Sequence, residues 1–330
     1  MLQLRRHSMS ISKIFGAAAL VASSFVMAGG HSNAPEAGSV PYTGPKMDLS
    51  QYQPEFRIGF LGDEAAHDVL ARNECFGPYV EQAYGVPAKM FTFKDYAGNM
   101  EAMLGGNLDY TWYGASSYAA MELEKPGFTL PILTRMQPSG DTGYYSVMVA
   151  RKDSGIRTIE DTKGKKLGFA DPNSTSGFLI PSIELAEEYG DLDSYFESTQ
   201  FMGGHENGVL GVLNGDVDVA VTWVSGVGEW SEGYSSGNLR KMVDKGILNM
   251  DDIHQVWSSK LIPNGPIVMP ASLPQEARDV MVGLKQWIFD NDRVCSENVT
   301  NGEVRGWVPV DVSFYESVIK ARKAKIESGS

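Results

Sequence analysis

Three consecutive hydroxyl residues, Ser174-Thr175-Ser176, carry the clearest chemical signal in the sequence. They follow an apolar run at residues 166–170 and precede a helical pattern that begins at Phe178. The free N–H groups and the dipole of a helix start favour a small anion, and hydroxyls add donors there without adding charge. The stretch therefore predicts a site for a tetrahedral oxyanion, although ordinary helix capping would also explain one of the hydroxyls.

Other polar and aromatic residues fall at the ends of predicted strands. Strands and helices alternate from residue 56 onward, and a second alternation begins near residue 156. This pattern predicts an α/β protein in which two mostly parallel sheets, each flanked by helices, are joined by strands near residues 144–150 and 266–270. Ligands bind beyond the carboxyl ends of such strands, so two facing sheets would bring these ends into one cleft. The residues predicted there are Asp63, Asp95, Tyr96, Tyr113, Gly114, Ser174–Ser176, Gly204, His205 and Trp223.

Composition narrows the possible functions. The 330 residues are 42% hydrophobic and 21% charged, which fits a soluble protein with two domains. With a net charge of −13, the chain lacks the basic surface that is typical of a nucleic-acid binder. Five His and two Cys without metal-ligand spacing predict neither a metal nor another cofactor. No second His, catalytic Cys or acid pair accompanies the hydroxyl run, so the sequence favours a binding protein over an enzyme.

The N-terminal segment predicts export. Basic residues precede an apolar run at residues 14–28, which is typical of a signal peptide over residues 1–28 with cleavage after Ala28, or alternatively after Ala34. Residues 29–53 are rich in Gly, Pro and Ser and predict a linker or a loosely held arm. In an oxidising compartment Cys75 and Cys295 are expected to form a disulfide, and two free buried thiols are the alternative.

A set of short motifs in a fixed order resembles a known family, the phosphonate-binding proteins of ABC importers. The resemblance covers roughly residues 55–290. It implies a monomeric periplasmic receptor that captures a small phosphonate and delivers it to a permease in the inner membrane. The motifs are Asp95-Tyr96-Ala97-Gly98, Trp112-Tyr113-Gly114, Gly143 to Val147, Asp171 to Phe178, Gly204-His205-Glu206, and Leu261-Ile262-Pro263 with Pro266-Ile267-Val268.

The same resemblance implies a type II two-lobed fold with a two-segment hinge. The first lobe would comprise residues 54–145 and 267–330, and the second residues 146–266. Phenol, hydroxyl and imidazole donors would hold the phosphonate group. The matching positions are Tyr96, Tyr144, Ser174, Thr175, Ser176 and His205.

The predicted pocket departs from the family where the rest of the ligand would lie. Members that take up 2-aminoethylphosphonate use two acidic residues against the ammonium group, and the matching positions here are Ser225 and Gly265. Asp63 or Glu64 could supply a replacement charge, and a solvated loop is the alternative for both.

Aromatic residues are predicted to line the part of the cleft that would hold the rest of the ligand, which we call the tail pocket. Trp112, Tyr113 and Trp223 could enclose an apolar substituent or a methylated ammonium, or could simply cover the core. Alternative ligands are therefore inorganic phosphite or phosphate and a methylated-ammonium phosphonate or phosphate ester. A periplasmic sensor that binds the same ligand is the alternative class.

Overall fold

The structure of the protein, a computed structural model, describes residues 36–328. The predicted signal peptide over residues 1–28 and both predicted cleavage positions lie outside the described residues. Within residues 36–328, no helix is both long enough and apolar enough to cross a membrane.

Strands and helices alternate through most of the described chain. The strands are β1 (Phe56–Phe60), β2 (Ala88–Thr92), β3 (Tyr110–Trp112), β4 (Thr129–Met136), β5 (Gly143–Arg151), β6 (Lys166–Phe169), β7 (Ser198–Phe201), β8 (Val219–Val224), β9 (Ile253–Ser258), β10 (Ile262–Pro263), β11 (Ile267–Pro270) and β12 (Gly306–Pro309). The α-helices are α1 (Ala66–Asn73), α2 (Phe76–Tyr84), α3 (Tyr96–Leu104), α4 (Ala115–Glu124), α5 (Ile180–Tyr189), α6 (Leu192–Tyr195), α7 (His205–Asn214), α8 (Asn238–Asp244), α9 (Gln275–Asn291), α10 (Arg293–Thr300) and α11 (Glu316–Ser328).

The strands form two six-stranded sheets. The first has the order β12-β4-β11-β3-β1-β2, and the second has the order β10-β5-β8-β6-β7 with β9 also paired to β5. The prediction of two sheets flanked by helices is confirmed, but the prediction that they are mostly parallel is wrong. Each sheet is mixed, because β5 and β11, the first strands after the chain changes sheets, run antiparallel to their neighbours.

The chain crosses between the sheets at residues 137–142 and again at residues 264–266. The N–H of Asn264 donates to the carbonyl of Thr142 at 2.8 Å, so the two crossing segments are bonded to each other. We use "first lobe" and "second lobe" for the elements around the first and second sheets. The exact lobe boundaries given above stay a prediction.

Strand β5 shows why the second sheet is covered on both sides. Val147 and Val149 belong to one apolar cluster, whereas Met148 and Ala150 belong to another. Successive side chains of a strand point to opposite faces, so a continuous apolar run is expected where helices cover both faces.

The described part of the predicted arm, residues 36–53, is held against the first lobe rather than loosely. Tyr42 and Leu49 are buried, and the Tyr42 ring lies edge-on to Trp287 with centroids 4.8 Å apart. The N–H of Gly38 also donates to Asp292 Oδ2 at 2.7 Å. The Gly- and Pro-rich composition of this segment did not indicate that Tyr42 and Leu49 would be buried against the first lobe.

The disulfide prediction is confirmed, since Cys75 and Cys295 are bonded across a sequence separation of 220 residues. Both residues are buried, and the bond joins the start of α2 to α10 within the first lobe. A cross-link over so long a loop restricts the unfolded chain strongly.

Replacing both cysteines, Cys75→Ala with Cys295→Ala, should lower the free energy of unfolding by about 2–5 kcal/mol. Urea titration of the oxidised proteins measures the difference. Reductant should destabilise the wild-type chain by a similar amount and leave the double variant unchanged. Equal stability of the oxidised wild type and the variant would contradict the expected role of the bond.

Candidate functional site

A cavity of about 160 Å³ lies between the two lobes. All six residues predicted to hold the phosphonate group line it, namely Tyr96, Tyr144, Ser174, Thr175, Ser176 and His205. Four of the six residues predicted for the tail pocket also line it, namely Asp63, Trp112, Tyr113 and Trp223. The cavity thus gathers residues that are far apart in sequence, although their roles in binding stay a prediction.

The hydroxyl run forms the corner between β6 and α5. Ser174 caps a single π-helical turn, Thr175–Leu179, and its Oγ accepts the N–H of Gly177 at 3.0 Å. A side chain at Gly177 has no space, because a Cβ there would lie 2.4 Å from Ala170 Cβ and 2.8 Å from His205 Cε1. Helix capping therefore explains the Ser174 hydroxyl, which was the alternative considered from the sequence. The hydroxyls of Thr175 and Ser176 remain available to other partners.

This corner touches the first lobe directly. Thr175 Oγ1 accepts the N–H of Ser116, near the start of α4, at 2.8 Å. Ser117 Oγ donates to the carbonyl of Asn173 at 2.9 Å, and Arg322 Nη1 donates to the carbonyl of Pro172 at 2.7 Å. The cleft is therefore closed over the cavity.

Tyr144, on β5, lies where donors from both lobes meet. Its side chain is buried, and burial raises the pKa of the phenol. The nearby hydroxyls of Ser176 and Thr175, the positive charge of Arg135 and the Ser176 N–H act in the opposite direction and lower this pKa. Groups that favour a negative charge on the Tyr144 oxygen would also favour an anionic oxygen close to it.

Tyr96 and His205 add uncharged donors to the same region. Burial, followed by the negative charges of Asp63 and Asp171, raises the pKa of Tyr96, so its hydroxyl stays protonated. Burial lowers the pKa of His205 to about 4, so the imidazole is neutral near pH 7. His205 Nε2 lies 3.0 Å from Ser174 Oγ, and its Nδ1 has no hydrogen-bond partner among the described residues.

Two predicted tail-pocket residues are placed elsewhere. Ser225 is buried outside the cavity lining, and its Oγ lies 3.0 Å from Ser235 Oγ in a loop. The Glu64 carboxylate is fully buried, 2.5 Å from Arg72 Nη1 and 3.5 Å from Lys241 Nζ. Glu64 is thus neither a tail ligand nor part of a solvated loop, because it is enclosed by cations from both lobes.

Glu64 belongs to a cluster of charges that we call the interlobe charge cluster. Lys245 of the second lobe pairs with Asp68 and also lies 3.7 Å from Glu64 Oε2. The members from the first lobe are Asp63, Glu64, Asp68 and Arg72, and those from the second are Glu206, Lys241 and Lys245. These ion pairs hold the lobes together beside the cavity.

Gly265 cannot carry a side chain in this structure. A Cβ there would lie 1.9 Å from the carbonyl oxygen of Tyr113. The carbonyl of Gly265 instead accepts the indole N–H of Trp112 at 2.9 Å. The position that matches an acidic residue of 2-aminoethylphosphonate binders is therefore filled by backbone.

Arg135, on β4, lines the cavity and was not predicted from the sequence. Its side chain is buried, with the guanidinium carbon 4.8 Å from the Trp223 ring centroid and 5.6 Å from that of Trp112. The indole faces that were predicted to enclose a methylated ammonium thus already hold a cation. An arginine at the end of the apolar run 128–134 was the available signal.

The described residues also indicate whether the chain could bind a metal ion or an anion. Across residues 36–328, no group of three His, Cys, Asp or Glu side chains is arranged to hold a metal ion. The cavity lining combines hydroxyl, phenol and imidazole groups with two arginines, Arg72 and Arg135, and one carboxylate, Asp63. Donors and cations prevail in this set, which suits binding of an anion.

Known proteins are similar to this chain over most of its length. A family model described as the periplasmic substrate-binding protein of a phosphonate ABC transporter matches residues 58–311. The phosphonates-binding periplasmic protein of Escherichia coli K12 is 28% identical over 277 residues, 83% of this chain and 76% of that protein. The phosphate-import protein PhnD of Mycolicibacterium smegmatis is 28% identical over 295 residues, 83% of this chain and 87% of that protein.

Solved structures share the fold. A binding protein component of an ABC phosphonate transporter from Pseudomonas aeruginosa has a TM-score of 0.70 and 25% identity, with 83% of this chain and 87% of that chain covered. PhnD1 of Prochlorococcus marinus, solved in complex with methylphosphonate, has a TM-score of 0.66 and 18% identity, with 82% and 98% covered.

The burial of His205 predicts a pH-dependent stability. The pKa of His205 is about 4 in the folded chain against 6.5 for a free histidine, so between these values the unfolded chain binds the extra proton. The free energy of unfolding should therefore fall as the pH drops from 6.5 towards 4, with this residue contributing at most about 1.4 kcal/mol per pH unit. Urea titrations across this range measure the slope.

His205→Gln should flatten that slope, because the titrating group is gone. His67→Gln is the matched control, since the His67 side chain is 85% exposed. A slope in His205→Gln equal to that of the wild type would show that His205 does not titrate in this way.

Proposed function

The chain belongs to the family of periplasmic substrate-binding proteins of phosphonate ABC transporters, and from this premise we propose that it binds a phosphonate in the interlobe cavity and delivers it to a permease in the inner membrane. The observation that carries the assignment of the site is that buried hydroxyl, phenol and imidazole groups from both lobes line one cavity. The phosphonate oxygens would lie beside Tyr144, with Tyr96 as a further donor. The Ser174–His205 pair would add one more, because the hydrogen bond between these two residues uses one of their two protons.

The proposal includes the state and location of the protein. The chain acts as a monomer and a non-enzymatic receptor in the periplasm, after removal of a signal peptide near Ala28. Ligand binding closes the two lobes about the crossing segments at 137–142 and 264–266.

Inorganic phosphate is the second candidate ligand. Neutral hydroxyl and amide donors suit any small tetrahedral oxyanion, and one relative bears the name of a phosphate-import protein. Calorimetry of the full mature chain with methylphosphonate, phosphite and phosphate distinguishes these ligands. Binding of phosphate alone would replace the phosphonate proposal.

Tyr144→Phe and Ser176→Ala should each weaken methylphosphonate binding by roughly tenfold or more, because each removes a hydrogen bond to a charged group worth about 1.5–3 kcal/mol. Calorimetry measures the dissociation constants. Tyr145→Phe is the matched control, since Tyr145 is adjacent on β5 and packs against an apolar cluster on the second lobe. If Tyr144→Phe binds like the wild type, the assignment of this site is wrong.

Lys245→Met should favour the open form, because it leaves Asp68 without a partner from the second lobe and removes one of the two second-lobe lysines near the buried Glu64 carboxylate. The expected results are a dissociation constant for methylphosphonate raised by at least about tenfold and a larger radius of gyration by small-angle scattering at equal ligand concentration.

Lys152→Met provides the control, since the Lys152–Asp251 pair is exposed and lies within the second lobe. Identical scattering profiles of the wild type with and without saturating ligand would argue against closure. An unchanged affinity in Lys245→Met would argue against a role for the interlobe charge cluster.

A further inference from the structure

Arg135 is a buried cation without a buried anion to match it. Its side chain lines the cavity and is 4% exposed, and no carboxylate of the described residues lies within ion-pairing distance. Its Nε donates to Asn264 Oδ1 at 3.3 Å and its Nη1 donates to the carbonyl of Thr300 at 3.0 Å. Both acceptors are neutral, and the Nη2 group has no acceptor among the described residues.

The surroundings of Arg135 fix its position without neutralising its charge. Trp223 and Trp112 face the guanidinium, and the amide of Asn264 both accepts from Nε and donates to the Arg135 carbonyl at 3.1 Å. Burial lowers the pKa of Arg135 to about 10, so the side chain remains charged near pH 7. A fixed, charged and partly unpaired guanidinium suits a planar carboxylate, which it can bind through two parallel hydrogen bonds.

Arg135 also lies close to the proposed phosphonate position. Its guanidinium carbon lies 4.8 Å from the centroid of the Trp223 ring, and the Tyr144 ring lies edge-on to Trp223 with centroids 5.9 Å apart. The hydroxyl corner lines the same cavity. A ligand of modest length could therefore reach both the hydroxyl corner and the guanidinium within one cavity.

We propose that the preferred ligand is a phosphonate that carries a second anionic group, a phosphonocarboxylate, with its phosphonate at the hydroxyl corner and its carboxylate on Arg135. This proposal rests on the proposed function and adds the class of substituent. It also accounts for the missing acidic residues, because an ammonium tail would meet a cation near Gly265 rather than a carboxylate.

Asp63 is the cavity residue that could instead favour a positively charged substituent on the phosphonate. It lines the cavity, but its Oδ2 lies 3.9 Å from Lys241 Nζ within the interlobe charge cluster. Its negative charge is thus shared with a cation of the protein, whereas that of Arg135 is not matched by any anion. The balance favours an anionic tail.

The test is calorimetry of the full mature chain with four ligands: methylphosphonate, phosphonoacetate, 3-phosphonopropionate and 2-aminoethylphosphonate. We expect at least one of the two phosphonocarboxylates to bind tenfold or more tightly than methylphosphonate, and 2-aminoethylphosphonate to bind more weakly than that phosphonocarboxylate. Arg135→Met should weaken binding of that phosphonocarboxylate by at least tenfold more than it weakens binding of methylphosphonate, and Arg135→Lys should restore part of the preference.

Arg293→Met is the matched control, since Arg293 also lies over an aromatic ring, Phe289 at 4.5 Å, but outside the cavity. It should keep the wild-type preference. Should Arg135→Met not fold, the wild-type ligand series and Arg135→Lys still decide the matter.

The possible results distinguish a failure of the proposed function from a failure of the role given to Arg135. Absence of binding to all four ligands would overturn the proposed function itself. Binding of methylphosphonate without any preference for a phosphonocarboxylate, or tighter binding of 2-aminoethylphosphonate, would overturn only the role given to Arg135. An equal loss of affinity for methylphosphonate and phosphonoacetate in Arg135→Met would place the guanidinium on the phosphonate group instead.

Discussion

The hydrogen bond from the Ser116 N–H to Thr175 Oγ1 joins a helix start in one lobe to a helix start in the other. Everything else in the cavity depends on the closure that this contact accompanies. Once water is excluded, the hydroxyls near Tyr144 and the guanidinium of Arg135 exert their full effect, since electrostatic interactions strengthen in a medium of low dielectric constant. An acidic chain can thereby present a local environment that favours an anion, because the field inside the closed cleft is set by near neighbours and not by net charge.

The residues that sequence reasoning placed correctly carry local signals. Tyr96, His205 and the hydroxyl run each stand where a strand gives way to a helix, so the α/β alternation was enough to bring them to one cleft. Glu64 was misplaced because its partner Lys241 is distant in sequence. Ser225 was misplaced because its loop folds back on itself and brings Ser235 to the Ser225 hydroxyl. Strand direction could not be predicted either, because an apolar run has the same pattern whether its strand is parallel or antiparallel to the neighbouring strands.

The burial of Arg135 was even harder to predict from the sequence. The sequence shows only an arginine that ends an apolar run, which is also how a strand leaves the core for solvent. Its burial depends on Trp112, Trp223 and Asn264, which approach it from three other parts of the chain. Together with the backbone that fills the space at Gly265, it gives the cavity a selectivity based on both shape and sign of charge. Discrimination between ligands with a common head group requires such elements.

The strand order has a consequence for how the molecule is built. The second sheet uses an uninterrupted stretch of chain, from Gly143 to Pro263, whereas β11 lies in the middle of the first sheet between β3 and β4. A chain that emerges from its N-terminus can complete the second sheet while the first still lacks its central strand. The first sheet must wait for residues 267–309, and only then do Cys75 and Cys295 meet. The lobe that begins the chain is therefore the last to be finished, and its unpaired strand edges are exposed for longest during synthesis and export.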